Sequence, residues 1–228
     1  MTQDGRGIGE VAVDWRAWRI VPSRYPPVGP WDRIADPADF DHLAEIEAIT
    51  NPRLREEQGA LAAIPRHRWV SGPGMSPVMA AFTHLNPEGS RFSDGSYGVF
   101  YAAHEIETAI RETRYHRARF LARTCEPAQR IEMRCYVTRI NARFHDIRGG
   151  HEDLHAPDDY TASQAFARRQ RAAGSNGVVY DSVRNRGGQC VAAFWPDCVG
   201  PCRQARHYAY HWDGASISHV VELKRVAF

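Results

Sequence analysis

Between residues 105 and 123 the chain carries one apolar stripe, Ile106, Ala109, Ile110, Thr113, Phe120 and Leu121, whose spacing of mostly three and four fits an α-helix and no strand. Glu105 and Glu107 open it where the helix dipole favours negative charge. The runs on either side have a different character. Residues 97–103, YGVFYAA, are aromatic and β-branched, as in a short buried strand, and Ile131, Met133, Cys135 and Val137 alternate with polar or amphipathic residues as a half-buried strand does. A second helix is predicted over 160–173, closed by Gly174. Beyond it the chain reads as β, with strands over 177–181, 190–195, 206–212 and 216–223, the last two joined by Asp213-Gly214 as a two-residue hairpin turn. The class is α+β.

The composition shifts before about residue 90, which points to an N-terminal extension over 1–84 packed on a main domain over 85–228. The extension opens with a strand over 11–21, ended by Pro22 and the turn-rich SRYPPVGPWDR. Phe40, Leu43, Ile46 and Ile49 give a short helix over 38–50, and another follows Pro52 over 53–63. The segment SGPGMSPVMAAFTHLNPEGSRFSDGS reads mostly as loop.

A chain of 228 residues that is 43% hydrophobic buries a real core. Lys and Arg number 29 against 27 acidic residues, so nothing in the charge indicates nucleic acid or an acidic membrane. No apolar stretch approaches the roughly 18 residues of a membrane span, nor does the opening segment look like a signal peptide, and a cytoplasmic location is expected. Five cysteines, an odd number, fit a reducing compartment. Cys198 and Cys202, with His207 and His211 beyond them, make a loose metal-like spacing, but structural zinc takes ligand pairs from two separated elements, so no metal is expected.

Three stretches carry candidate chemistry. Arg91 precedes the 97–103 strand and Tyr101 lies near its end. Glu112 and His116, at i and i+4 in TAIRETRYH, share one face at the margin of the apolar stripe and can line a pocket or form a solvated pair. Ser182 ends the 177–181 strand, where its hydroxyl can serve its own loop or a ligand, and Arg184 and Arg186 beside Gly187-Gly188 could meet a phosphate.

In order and spacing, RFSDGSYGVFYAAHEIETAIRETRYH, then DIRG near Asp146, SQAF near Gln164 and GVVYDSVRNRGGQCVAAFWP resemble the RES domain, named for an arginine, a glutamate and a serine. The resemblance spans roughly residues 85–215; Phe92 and Ser93 depart from the tryptophan and asparagine common after the arginine. RES-domain toxins of bacterial toxin–antitoxin pairs are relatives of diphtheria-toxin-like ADP-ribosyltransferases. The resemblance therefore implies a split antiparallel β-sheet core with surrounding helices and a cleft for NAD⁺ as substrate. It implies Glu112 as catalytic carboxylate, Arg91 on the phosphates or ribose, Tyr101 against the nicotinamide, and His116 and Ser182 as further contacts. Arg19, in AWRIVPS, matches an early arginine of related chains. It implies cleavage at the nicotinamide–ribose bond, with ADP-ribose passed to a cellular protein or, alternatively, to water or phosphate. It also implies an antitoxin partner with a helix-turn-helix type DNA-binding region that blocks the active site. From another class, a non-enzymatic module could hold a nucleotide in an aromatic, arginine-rich cleft; Glu112→Gln separates the two, since only an enzyme has a transition state for that carboxylate to stabilise.

Overall fold

The computed structural model describes residues 7–24, 32, 61 and 63–224. The helices expected over 38–50 and 53–63 lie outside these, save for residues 61 and 63. Among the described residues, seven strands and three α-helices run in the order β1 (Glu10–Pro22), α1 (Ser76–Thr83), β2 (Phe100–Ala103), α2 (Ile106–Arg123), β3 (Gln129–Asp146), α3 (Thr161–Ala172), β4 (Gly177–Asp181), β5 (Gln189–Ala193), β6 (Arg203–Trp212) and β7 (Ile217–Leu223).

The long strand β3 organises the sheet. One of its edges pairs with β1 along all of β1, from Glu10 opposite His145 to Pro22 opposite Met133. Its other edge changes partner. Residues Gln129 to Val137 pair antiparallel with β6, through a bulge at Cys135 and Tyr136, whereas His145 and Asp146 pair parallel with β4. The sheet is thus split at β3. One branch runs β3-β6-β7, and the other runs β3-β4-β5-β2 and touches β1 through Trp18 and Ala103. Antiparallel pairing dominates as expected, with β3–β4 the parallel exception. The strand expected in an N-terminal extension is a full member of this sheet.

Phe82, Phe92, Phe100, Phe144, Phe166, Phe194 and Tyr210 are fully buried and fill the space between sheet and helices. Helix α2 packs on β1 and β2, with Thr108, Ala109 and Leu121 buried. Ile106 and Ile110 lie at the margin of the core, and Phe120 is exposed, with the Arg117 guanidinium over its ring.

Two expectations are corrected. The segment before Arg91, read as mostly loop, also contains the helix α1. Its Val78, Met79, Ala81 and Phe82 are all buried, so no polar face betrays a helical period, and Gly98 lets its backbone approach: a Cβ there would lie 2.3 Å from Phe82 Cα. The β6–β7 turn spans residues 213–216, longer than a two-residue turn, because the Asp213 carboxylate accepts the Ala215 and Ser216 N–H groups at 2.8 and 2.7 Å.

Candidate functional site

Helix α2 presents Glu112 toward the loop that follows β4. There the Ser182 hydroxyl donates to Glu112 Oε1 at 2.6 Å and accepts the backbone N–H groups of Arg184 and Asn185 at 3.2 and 3.0 Å. Ser182 N–H donates to the Gly188 carbonyl, and Asn185 Nδ2 donates to Thr108 Oγ1 on α2 at 2.8 Å. A Cβ on Gly188 would stand 2.3 Å from that same Thr108 oxygen, so glycine lets the loop lie flat on the helix. The Glu112 side chain, 20% exposed, is thereby held in a fixed orientation against that loop.

His116 Nε2 approaches Glu112 Oε2 to 3.7 Å. Desolvation, then the Arg184, Arg91 and Arg119 guanidiniums, push the imidazole down to about 4. His116 is therefore neutral at pH 7, and the contact is not an ion pair there. Its side chain is 53% exposed.

Arg91 is buried; its Nη1 donates to the carbonyls of Leu154 and Ala156 at 3.2 and 2.8 Å, and its guanidinium lies 4.7 Å from the Tyr160 ring centre. Part of the fork expected on a phosphate thus anchors residues 154–160. Tyr101 is a neighbour through the backbone: its hydroxyl meets Ser90 Oγ at 2.8 Å and accepts the Phe92 N–H at 2.9 Å. Burial holds that phenol protonated. Ser163 and Gln164 of α3 complete the clamp on residues 90–93. Arg19 donates to the Tyr101 carbonyl at 2.9 Å and covers the Phe100 ring, so it braces β2 rather than facing Glu112.

The structure therefore unites Glu112, His116 and Ser182, sets Arg91 and Tyr101 in the adjoining wall and places Arg19 behind it. Four further residues join this site. The Tyr115 hydroxyl, Arg119 and Arg184 converge on the Asp158 carboxylate, with Arg119 and Arg184 at 3.7 and 3.4 Å, and the Arg184 guanidinium stacks 3.4 Å over the Tyr115 ring. Tyr115 and Arg119 lie three and seven residues beyond Glu112, a helical spacing that marks them as neighbours of its face.

Cys198, Cys202, His207 and His211 do not gather into a metal-holding group; among the described residues none was found. Burial pushes the Cys198 and Cys202 thiols up to about 12. Two grooves of about 510 Å³ lie elsewhere, one beside Trp18 and His104, the other beside Arg24 and Phe120. No helix among the described residues is long and apolar enough to cross a membrane.

Against known proteins, the family model of the RES domain matches residues 60–213. The uncharacterized protein y4oC of Sinorhizobium fredii (strain NBRC 101917 / NGR234) is 33% identical over 210 residues, covering 92% of this chain and 88% of its own. Among solved structures, the M. tuberculosis MbcT–MbcA toxin–antitoxin complex contains a chain matched at 11% identity with a TM-score of 0.46, covering 91% of this chain and 88% of that one. By the extent of the profile match and by its likeness to y4oC, the chain belongs to the RES domain family.

Proposed function

We propose that this protein cleaves NAD⁺ at the nicotinamide–ribose bond. The observation that carries the reading is the fixed Glu112 carboxylate: Ser182 orients it, a neutral imidazole adjoins it, and three guanidiniums lie around that imidazole. The reaction needs these two charge patterns together. As the C–N bond breaks, its electron pair leaves with nicotinamide and positive charge develops on the ribose, which a fixed carboxylate stabilises more in the transition state than in the ground state. The guanidiniums suit the substrate's phosphates. The acceptor's lone pair then forms the new bond at the ribose carbon, and its proton passes to His116, which has an open nitrogen position at neutral pH.

The acceptor is a cellular protein or a small nucleophile. A protein acceptor needs docking surface beyond the residues around Glu112, which the N-terminal region and the segment before Arg91 could supply. Within the described residues of that region β1 is paired along its length and α1 is mostly buried. That favours the small acceptor, water or phosphate. Purified protein incubated with labelled NAD⁺ and bacterial lysate tests both steps: nicotinamide release establishes cleavage, free ADP-ribose or its phosphate without labelled protein establishes the small acceptor, and labelled protein establishes transfer. NAD⁺ left intact by folded protein defeats the reading.

In the cell this activity makes the protein the toxin of a toxin–antitoxin pair, guarded by an antitoxin with a helix-turn-helix type region that covers the cleft. This part rests on membership of the RES family. Expression without the partner is expected to stop growth, and unimpaired growth of cells holding folded protein would count against it.

A further inference from the structure

Residues 147–160 connect β3 to α3 as a strap that reaches α2 and the loop after β4. Arg91 holds the strap from within, through the Leu154 and Ala156 carbonyls, and Leu154 is fully buried. Farther along the strap Arg184 donates to the Pro157 carbonyl. Asp158 then places its carboxylate among the Tyr115 hydroxyl, Arg119 and Arg184. These donors come from two separate elements, α2 and the loop after β4, and converge on one exposed anionic group; the Asp158 side chain is 68% open to water.

This closed arrangement is under-bonded. Arg184 Nε, the Tyr160 hydroxyl and His155 Nε2 are buried with no hydrogen-bond partner among the described residues, and all three belong to the strap or to the arginine beneath it. Buried polar groups are ordinarily paired, so the closed position of the strap leaves polar atoms unmatched, Arg184 Nε beside Asp158 among them. The Arg184 side chain is only 15% exposed, and its guanidinium is already flattened against Tyr115, which fixes the direction of its fork. Planar guanidiniums and a phenolic hydroxyl recognise phosphoryl oxygens by the same hydrogen bonds they give a carboxylate.

We infer that Arg119, Arg184 and the Tyr115 hydroxyl form the subsite for the substrate's diphosphate, and that Asp158 occupies this subsite in the free protein as an internal stand-in. The inference rests on the dinucleotide reading for the identity of the ligand, while the anion site itself does not depend on cleavage. Substrate enters by displacing Asp158, the strap lifts at its 157–159 end, and Arg91 keeps the other end in place. The strap thereby makes the free enzyme resist small anions and yields to a ligand with two phosphoryl groups.

The test uses inorganic pyrophosphate, which has neither ribose nor nicotinamide. Its affinity is measured by calorimetry on wild type, Asp158→Asn, Glu152→Gln, Arg119→Gln and Arg184→Gln, all as the full chain. Removing the stand-in charge is expected to tighten pyrophosphate about three- to tenfold. Glu152→Gln, which removes the same charge from an exposed position of the same strap, changes it by less than about twofold. Arg119→Gln and Arg184→Gln weaken binding, and the exposed Arg119 serves where replacing Arg184 disturbs its loop. Equal effects of Asp158→Asn and Glu152→Gln, or no pyrophosphate binding even by Asp158→Asn, overturn the subsite. NAD⁺ assays on the same samples separate the two readings: selective tightening by Asp158→Asn with NAD⁺ left intact keeps the subsite and removes the substrate assignment. NAD⁺ cleavage with wild-type KM and pyrophosphate affinity in Asp158→Asn does the reverse.

Discussion

The two walls of the candidate site, the Glu112 side and the strap side, are bonded differently. On the Glu112 side the Ser182 hydroxyl has its proton on a carboxylate and its lone pairs under two backbone N–H groups, and the loop behind it is tied to Thr108. On the strap side the Tyr160 hydroxyl, His155 Nε2 and Arg184 Nε are buried without partners among the described residues, and the exposed Asp158 takes three donors at once. A carboxylate held by a hydroxyl that two backbone N–H groups fix in turn is preorganised, and preorganised groups stabilise a transition state without moving. A wall that keeps unpaired atoms is one that rearranges. The contrast assigns chemistry to the first wall and substrate entry to the second.

The largest effect that could break this contrast is at Ser182. Ser182→Ala strips Glu112 of its 2.6 Å donor and leaves the Arg184 and Asn185 N–H groups without their acceptor. It is expected to cost about 1–3 kcal/mol in a denaturant titration and to lower kcat for nicotinamide release roughly ten- to a hundredfold. A variant with unchanged stability and rate would show that the wall is not preorganised by this serine.

The pH dependence is next in size. The His116 imidazole is held down to about 4 in the folded protein, below its ordinary 6.5, so the unfolded chain binds more protons between those values. Stability is therefore lost as pH falls from about 6.5 toward 4, and is fully recovered above 6.5. Thermal unfolding followed across that window should fall less steeply in His116→Gln than in wild type. Parallel curves would mean that neither burial nor the guanidiniums hold this ring down.

The smallest effect is on the strap. Tyr160→Phe removes a hydroxyl with no hydrogen-bond partner among the described residues, so stability should stay within about 0.5 kcal/mol of wild type. A loss comparable to that of Ser182→Ala would erase the difference between the walls.

Much of this was legible in the residues. Helix α2, strand β4 and the helix before Gly174 follow from period and punctuation, because each has one buried and one wet face or a short apolar run between turn residues. The extent of β3 was under-read. Its expected stretch ended near Val137, yet Ile140 and Phe144 are buried between the exposed Arg139, Asn141 and Arg143, so the alternation continues to Asp146. Helix α1 left no signal, since it is covered on nearly every side. In the site, helical spacing ties His116 to Glu112 and the end of β4 points to Ser182; Tyr115 and Arg119 went unread, although the same spacing places them beside Glu112. Asp158 was invisible because an irregular loop has no period, and its meeting with Arg184 depends on how β3 hands its edge from β6 to β4. Arg91 and Tyr101 were found as residues, but their ties to the Leu154 and Ala156 carbonyls and to Ser90 and Phe92 belong to the folded chain alone.

The central claim is that Glu112 acts on the breaking bond and not on holding the ligand. Binding and cleavage of NAD⁺ by Glu112→Gln, measured in one sample beside wild type, test it most directly. The account predicts an affinity within about threefold of wild type and nicotinamide release slower by roughly a hundred- to a thousandfold. Cleavage at the wild-type rate, or a loss of binding as large as the loss of rate, would contradict it.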